Sequence, residues 1–202
     1  MRRTTADEPG TKQVRTRAAL HRAVLELSAE RDPTALTVTE VAERAGVHRS
    51  TVYEHASSPM ELLQRALLAE LDEIRAAHLT GVAAADLPAA IEQVTLDVFR
   101  HVDRRAPIYR NVDAADGATL HALLAGHFAE SSRILLREGV LAIPIDDASG
   151  IAREAAVRYL ADGVVGLIGA WLTLPSPRDP RVPLDLLQEL QPAWWPRRET
   201  LG

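Results

Sequence analysis

The sequence predicts an all-α protein, and two observations support this prediction. Alanine and leucine dominate the chain from end to end, whereas aromatic residues make up only 4% of it. Ala, Leu, Arg and Glu are good helix formers, and few β-branched or aromatic runs are available to form strands. Apolar residues also recur at three- and four-residue spacing, as they do on one face of a helix. With 202 residues, the chain is long enough for one large domain or two smaller ones.

The chain begins with a predicted arm and a predicted amphipathic helix. Residues 1–11 contain Thr, Asp, Glu, Pro and Gly without periodicity, which predicts a flexible N-terminal arm. A first helix is predicted from about Lys12 to Arg31, because apolar residues recur there on one face. These are Leu20, Val24 and Leu27.

Two short helices and one long helix follow. Thr37 and Glu40 have the spacing of a capping box, which starts a second helix that Gly46 ends. A third helix is predicted over about Arg49–His55. Ser58-Pro59-Met60-Glu61 is a second capping box with proline at the first helical position, and it starts a fourth helix that reaches about Leu79.

The rest of the chain is predicted to form a second helical domain. Gly81–Asp86 marks the boundary, and proline-rich residues 174–180 form a rigid loop before the last helix. Helices are predicted at about residues 87–104, 107–112, 118–138, 149–172 and 183–191. The organisation is therefore an arm (1–11), a first domain (12–57), a connecting helix (58–80) and a second domain (81–202).

The second and third helices have the spacing of a helix-turn-helix, with a four-residue gap between them. Their close crossing requires a small residue, which Ala42 provides, and the turn requires a residue that accepts positive φ, which Gly46 provides. Apolar residues must hold the short helices against the first helix. The valines suited to this contact are Val38, Val41, Val47 and Val52.

The run from Leu36 to His55 resembles the DNA-binding signature of the TetR family of repressors. Ten positions follow the family pattern: Thr37, Val41, Ala42, Ala45, Gly46, Val47, Thr51, Val52, Tyr53 and His55. Two positions depart from it, since Ala56 replaces the usual aromatic residue and Pro59 replaces the usual lysine. The second departure removes a phosphate contact. The resemblance covers about residues 12–75 in detail and implies an N-terminal helix-turn-helix DNA-binding domain with a C-terminal ligand-binding and dimerisation domain.

The resemblance implies which side chains contact DNA. Arg49, Ser50 and Tyr53 lie on the face of the third helix opposite Val52, so we expect them to face the groove. Arg49 is the best candidate for base contact, because arginine pairs with a guanine edge through two hydrogen bonds, and Ser50 is a weaker one. Hydroxyl and imidazole groups resemble the family's phosphate contacts. These belong to Thr39, Thr51, Tyr53 and His55.

The resemblance also implies a homodimer that binds a palindromic operator and a small-molecule effector that releases it. Gly163, Gly166 and Ala170 form a stripe of small residues suited to a dimer interface, with Leu187 on the last helix beside it. An effector pocket is expected between Leu87 and Trp171, and walls of Ala, Leu, Val and Ile suit an apolar or amphipathic compound. The candidate polar contacts are His101, Tyr109, Asn111, His127 and Tyr159. No metal or cofactor is expected.

Composition indicates a cytoplasmic protein with uneven charge. The net charge is −5, but residues 1–60 carry +1 and residues 61–202 carry −6, so the first part can still bind phosphate locally. The absence of cysteine fits a reducing compartment. The N-terminus lacks the apolar stretch of a signal peptide. The apolar run 164–174 is too short to span a membrane and is predicted to be a buried helix.

Other functions remain open at this stage. Ala56 and Pro59 leave room for a ligand- or protein-binding module whose helix-turn-helix no longer binds DNA. An activator would have the same sequence features as a repressor. An enzyme is disfavoured, because no nucleophile–base arrangement or glycine-rich phosphate loop stands out.

Overall fold

The computed structural model describes residues 9–147 and 149–195, and within them it contains eight α-helices, two short 3₁₀-helices and no strand. The all-α prediction is therefore confirmed. The helices are α1 (Pro9–Glu30), α2 (Val38–Ala45), α3 (Arg49–His55), α4 (Pro59–Leu79), α5 (Leu87–Arg104), α6 (Ala106–Arg137), α7 (Ile151–Leu172) and α8 (Arg181–Leu190). The chain divides between Leu67 and Leu68, within α4, into two compact units. We call them the N-terminal unit and the C-terminal unit.

Two helices differ from the sequence prediction. Helix α1 begins at Pro9, so residues 9–11 of the predicted arm are helical, while residues 1–8 lie outside the described residues. Helix α6 is one continuous helix where the sequence predicted two, at residues 107–112 and 118–138. The intervening residues include Gly117 but no proline, and a single glycine weakens a helix by only about 1 kcal/mol without breaking it.

The core of the N-terminal unit joins its four helices. Leu20 and Val24 of α1, Val41 of α2 and Val52 of α3 are completely buried, and Leu62 of α4 is 1% exposed. Burial of each such side chain contributes about 1.5–3 kcal/mol. The predicted apolar stripe of α1 therefore packs inward, and the valines of the short helices hold them in place.

Local hydrogen bonds fix both ends of α2. The Thr37 Oγ accepts the Glu40 N–H, and the Glu40 carboxylate accepts the Thr37 N–H at 2.9 Å, so the predicted capping box is present. These bonds, with Arg31 beside the carboxylate, lower the pKa of Glu40 to about 2. At the other end Gly46 has φ +69°, and the Val47 N–H donates to the Ala42 carbonyl at 3.0 Å. A left-handed residue at this point favours glycine.

The C-terminal unit is a helical bundle in which α7 packs chiefly along α6. Its core includes Phe99, Leu124 and Trp171, and the rings of Phe99 and Trp171 meet edge to face at 5.8 Å. Helix α7 is also the one helix among the described residues that is long and apolar enough to cross a membrane, and 33% of its most apolar stretch is buried inside the chain. Length and composition do not distinguish a membrane span from a helix that packs on protein.

A buried arginine anchors the proline-rich loop before α8. The Arg178 side chain is 3% exposed and its Nη2 lies 2.7 Å from Asp103 Oδ1. Its guanidinium also donates to the Leu174 carbonyl at 2.9 Å and lies over the Trp171 ring. A buried charge requires such partners, since an unpaired one loses its hydration without compensation.

Candidate nucleic-acid interface

Helix α3 exposes one face and buries the other. Val52 is 0% exposed, whereas Arg49 and Ser50 are exposed and Tyr53 is 61% exposed. An aromatic ring left in solvent at this level loses most of the free energy that its burial would give. The side chains predicted to face a DNA groove therefore share an open surface, which extends from the first to the second turn of α3.

Thr39 joins this surface from α2. Its Oγ1 accepts a hydrogen bond of 3.4 Å from Arg49 Nη1. The bond is long and leaves the other donors of the guanidinium directed at solvent, so it orients Arg49 without occupying it. The first side chains of α2 and α3 thus lie side by side on one surface.

Thr51 and His55 are half-buried at the edges of α3. The His55 carbonyl accepts a hydrogen bond from Arg65 of α4, which fixes the C-terminal end of α3 against the next helix. The imidazole and the Thr51 hydroxyl are therefore held at the rim of the exposed face, where contact with a phosphate is geometrically possible.

The start of α4 differs from the predicted capping box. Ser58 Oγ accepts the Glu61 N–H at 3.1 Å as predicted, but the Glu61 carboxylate binds the N–H of Ser57, at 2.7 Å, and not that of Ser58. The bonds from Ser57 lower the pKa of Glu61, so this carboxylate is charged at neutral pH. The Glu61 N–H already bonds to Ser58, and Pro59 has no N–H to donate. Met60 is therefore the residue nearest the helix start whose N–H could bind a phosphate.

The other positions assigned to the helix-turn-helix either pack in the N-terminal unit or form the ends of α2. Val41 and Ala42 are buried, Val47 is half-buried, and Thr37 and Gly46 form the two ends of α2. Arg44 pairs with Glu30 and Glu26 of α1, and the Arg44 hydrogen bond lowers the pKa of Glu30.

A cavity of about 100 Å³ lies inside the C-terminal unit. Helices α4 to α8 contribute to its wall, which is mostly aliphatic and aromatic. The polar side chains along it are Arg75, Thr95, His127, Ser131, Ser132 and Gln191. Ligand pockets commonly combine an apolar wall with a few placed polar groups, although drug-sized ligands need about 300 Å³ or more. This cavity suits a compact ligand.

The candidate effector residues divide between the cavity and other places. His127 lines the cavity, whereas His101 and Tyr109 bond to each other in the core, with His101 Nε2 2.9 Å from the Tyr109 hydroxyl. Burial lowers the pKa of His101 to about 4 and raises that of Tyr109. Asn111 is half-buried away from the cavity, and Tyr159 is 70% exposed. Four of the five predicted contacts therefore do not line the cavity.

The position of Tyr159 follows from the period of α7. Residues that face inward on this helix recur at three- and four-residue spacing, and Tyr159 falls on the opposite side. The inward residues are Val157, Leu160, Ala161, Val165, Ile168 and Trp171.

The residues predicted for the dimer interface also divide. Gly163, Gly166 and Ala170 are exposed on α7, and a Cβ added at either glycine would have no atom within 4 Å. Leu187 instead faces inward and lines the cavity. Pro183, Leu184, Leu187 and Gln191 share the inner side of α8 by helical spacing, while the exposed side carries Val182, Leu186 and Leu190.

Arg75 and Ser131 were missed in the sequence. Arg75 follows Leu67 and Leu71 at four-residue spacing, so it continues the apolar stripe of α4 into the interior. A charged residue in register with a buried stripe is the signal that could have identified it.

Comparisons with known proteins agree with this architecture. Residues 20–66 match the family described as bacterial regulatory proteins, tetR family. Among curated protein sequences, none matches the chain. Many solved structures are similar over most of the chain, and three of them are described next.

The dihydroxyacetone kinase operon activator DhaS is 14% identical, with a TM-score of 0.62 over 87% of this chain and 93% of that one. A tetR-family transcriptional regulator from Streptomyces coelicolor is 20% identical, with a TM-score of 0.58 over 86% and 78%. NalD, the secondary repressor of the MexAB-OprM multidrug efflux pump in Pseudomonas aeruginosa, is 19% identical, with a TM-score of 0.55 over 88% and 94%.

At these identities the structural likeness concerns the fold. The family match covers the helix-turn-helix itself, including α2, α3 and the start of α4. The helix-turn-helix region of the chain therefore matches the tetR family of bacterial regulatory proteins, and over most of its length the helical fold is similar to that of a solved tetR-family transcriptional regulator.

Proposed function

We propose that the protein is a cytoplasmic repressor that binds a palindromic operator as a homodimer and is released by a small-molecule effector. The observation that carries the proposal is the exposed face of α3. Arg49, Ser50 and Tyr53 are held in solvent by a fully buried Val52, although the chain gains nothing from exposing a tyrosine ring. A major groove is wide enough to admit such a helix.

Each residue of this surface has an assigned role. Arg49 reads a guanine through two hydrogen bonds, and Ser50 makes a second, weaker base contact. Phosphate contacts position the helix on the duplex without reading sequence. We assign these phosphate contacts to Thr39, Thr51, Tyr53 and His55.

Dimerisation is supported by the exposed sides of α7 and α8. A glycine inside a helix costs about 1 kcal/mol relative to alanine. Gly163, Gly166 and Gly169 have open space around them within one chain. Their small size is therefore explained by close contact with a second chain. Leu186 and Leu190 add exposed apolar area on α8. A dimer would present two copies of α3 to half-sites roughly 34–36 Å apart.

The effector response is assigned to the cavity of the C-terminal unit. Its ligand and the operator would weaken each other's binding by the same factor, since linkage is reciprocal. Helix α4 transmits the change in this proposal, because it is continuous from Pro59 to Leu79 across the division of the chain.

The proposal is tested by selecting duplexes from random DNA with the purified protein and titrating the recovered site. We expect a palindrome. Arg49→Ala should relax specificity at one position of each half-site and weaken binding by about 1–3 kcal/mol. Tyr53→Phe should weaken binding without changing the preferred sequence, and Arg137→Ala, an exposed arginine of α6, is the matched control.

Two other outcomes point elsewhere. If no site is enriched at moderate salt, the alternative of a module that does not bind DNA gains support, and the engaged N-terminus of α4 is the leading explanation. If the protein stimulates transcription from the recovered site in a reconstituted assay, it is an activator.

A further inference from the structure

Among the described residues, the wall of the cavity in the C-terminal unit has one charged residue, and that residue is an arginine. We propose that the ligand of this cavity is a compact amphipathic monocarboxylate whose carboxylate binds Arg75 and whose apolar body fills the remainder. This inference deepens the proposed function, because it names the chemical class of the effector.

Arg75 is held in place by polar neighbours. Its side chain is 21% exposed, its Nη2 lies 2.6 Å from Asp72 Oδ1, and its Nη1 donates to Ser131 Oγ at 3.2 Å. The Ser131 hydroxyl in turn donates to the His127 carbonyl at 3.0 Å. The hydroxyl therefore gives its proton to the backbone and its lone pair to the arginine, which fixes the guanidinium at the cavity wall.

The guanidinium retains donors for a ligand. It has five N–H groups, and its bonds to Asp72 and Ser131 engage one on each terminal nitrogen. Asp72 is 54% exposed and does not line the cavity, and within residues 9–147 and 149–195 no aspartate or glutamate lines it. The polar end of the cavity consequently offers donors and positive charge, which suit a carboxylate in bidentate geometry.

His127 adds no charge to this end of the cavity. Its side chain is 4% exposed, it lines the cavity as Arg75 does, and its Nδ1 lies 3.4 Å from Asp72 Oδ1. Burial and the charge of Arg75 lower its pKa to about 4, so the ring is neutral at pH 7. A neutral imidazole carries one N–H, and the Asp72 carboxylate favours that proton on Nδ1. Arg75 is therefore the group that selects the charge of the ligand, and it would repel an amine.

The wall opposite these groups is apolar and includes Phe99, Leu160, Leu187 and Trp195. All three tryptophans of the chain, Trp171, Trp194 and Trp195, lie in the C-terminal unit. Tryptophan fluorescence therefore reports directly on occupation of this cavity, independently of DNA.

The test compares butanoate, 1-butanol and butylamine, which share a short apolar chain and differ in head group. We expect butanoate to change the fluorescence of the full-length protein with an affinity about tenfold higher than butanol, as a hydrogen-bonded charge pair would give. Butylamine should bind more weakly than butanol. Arg75→Gln should reduce butanoate binding to the level of butanol, and Ser131→Ala should reduce it partly. Arg137→Gln is the surface control.

Equal affinity for butanoate and butanol, no binding of either, or an unchanged butanoate affinity in both folded variants would overturn the carboxylate assignment. If Arg75→Gln fails to fold, Ser131→Ala still tests the assignment. The operator titration separates the two proposals. Butanoate that binds without lowering operator affinity would support the cavity assignment and contradict the effector mechanism, whereas Arg49→Ala should leave butanoate binding unchanged.

Discussion

The two units place their polar side chains in opposite ways. In the N-terminal unit, Thr37 and Glu40 are three residues apart, and the groups assigned to the DNA groove, on Arg49, Ser50 and Tyr53, are exposed. In the C-terminal unit, the important polar bonds are buried and join distant parts of the chain. Arg178 and Asp103 are 75 residues apart, and Arg75 and Ser131 are 56 residues apart. The N-terminal unit carries its functional side chains on a short local motif, and the C-terminal unit encloses its polar side chains between helices.

This difference predicts that the same kind of substitution has different consequences in the two units. Substitutions of polar groups in the N-terminal unit should change DNA binding and leave folding nearly intact. Equivalent substitutions in the C-terminal unit should lower the free energy of unfolding. Tryptophan fluorescence during urea unfolding reports on the C-terminal unit, because all three tryptophans lie there.

The largest effect is expected for Asp103→Ala, which leaves the Arg178 guanidinium buried without its carboxylate. The free energy of unfolding should fall by about 3–5 kcal/mol. Urea unfolding followed by far-ultraviolet circular dichroism, which reports on the helices of both units, measures it. Glu30→Ala, which removes an exposed partner of Arg44, should shift the midpoint much less. A shift of equal size for the two variants would remove the contrast between the units.

Acid should destabilise the C-terminal unit first. His101 and His127 are neutral when folded, with pKa values of about 4 against 6.5. Between these values the unfolded chain binds more protons, so stability is complete above about pH 6.5 and is lost as the pH falls towards 4. The slope should approach about 1.4 kcal/mol per pH unit for each histidine. Glu40, with its pKa lowered to about 2, loses its contribution only below about pH 4.5.

Urea midpoints at pH 7, 6 and 5 measure this dependence. His127→Gln should reduce the slope by about half, because His101 remains to titrate. A flat midpoint over this range would show that neither histidine is protonated preferentially in the unfolded chain.

A matched pair of tyrosine substitutions gives the smallest effect and the most direct comparison. Tyr109→Phe removes the hydroxyl that bonds to His101 in the core, and it should cost about 1–2 kcal/mol of stability with operator affinity unchanged. Tyr53→Phe removes an exposed hydroxyl and should leave the urea midpoint unchanged while operator binding weakens. If the two variants behaved alike in either assay, the functional division of the units would be wrong.

The helix-turn-helix could be predicted from the sequence because each part depends on near neighbours. The cap at Thr37, the left-handed turn at Gly46 and the burial of Val52 follow from spacings of a few residues, and the structure confirms all three. The α4 cap was predicted only in part. Glu61 has two serines within reach, and the spacing of the motif does not decide between Ser57 and Ser58.

The C-terminal unit was predicted less well because its helices are apolar on more than one side. Tyr159 and Leu187 were assigned from residue type, yet the rotation of α7 and α8 against their neighbours turned Tyr159 to solvent and Leu187 inward. Arg75 was overlooked, since an arginine three residues from Asp72 is typical of a solvated helix face.

By itself, the sequence determined the helical class, the helix-turn-helix with its likeness to the tetR family, and the direction in which α3 faces. These features depend on helical period and on caps, whose energies act within a few residues of the chain. Only the tertiary structure decided the continuity of α6, the cavity wall and the partners of Arg75 and Arg178. A cavity formed by five helices depends on how their faces pack, and side-chain contacts across more than 50 residues leave no fixed spacing in the sequence.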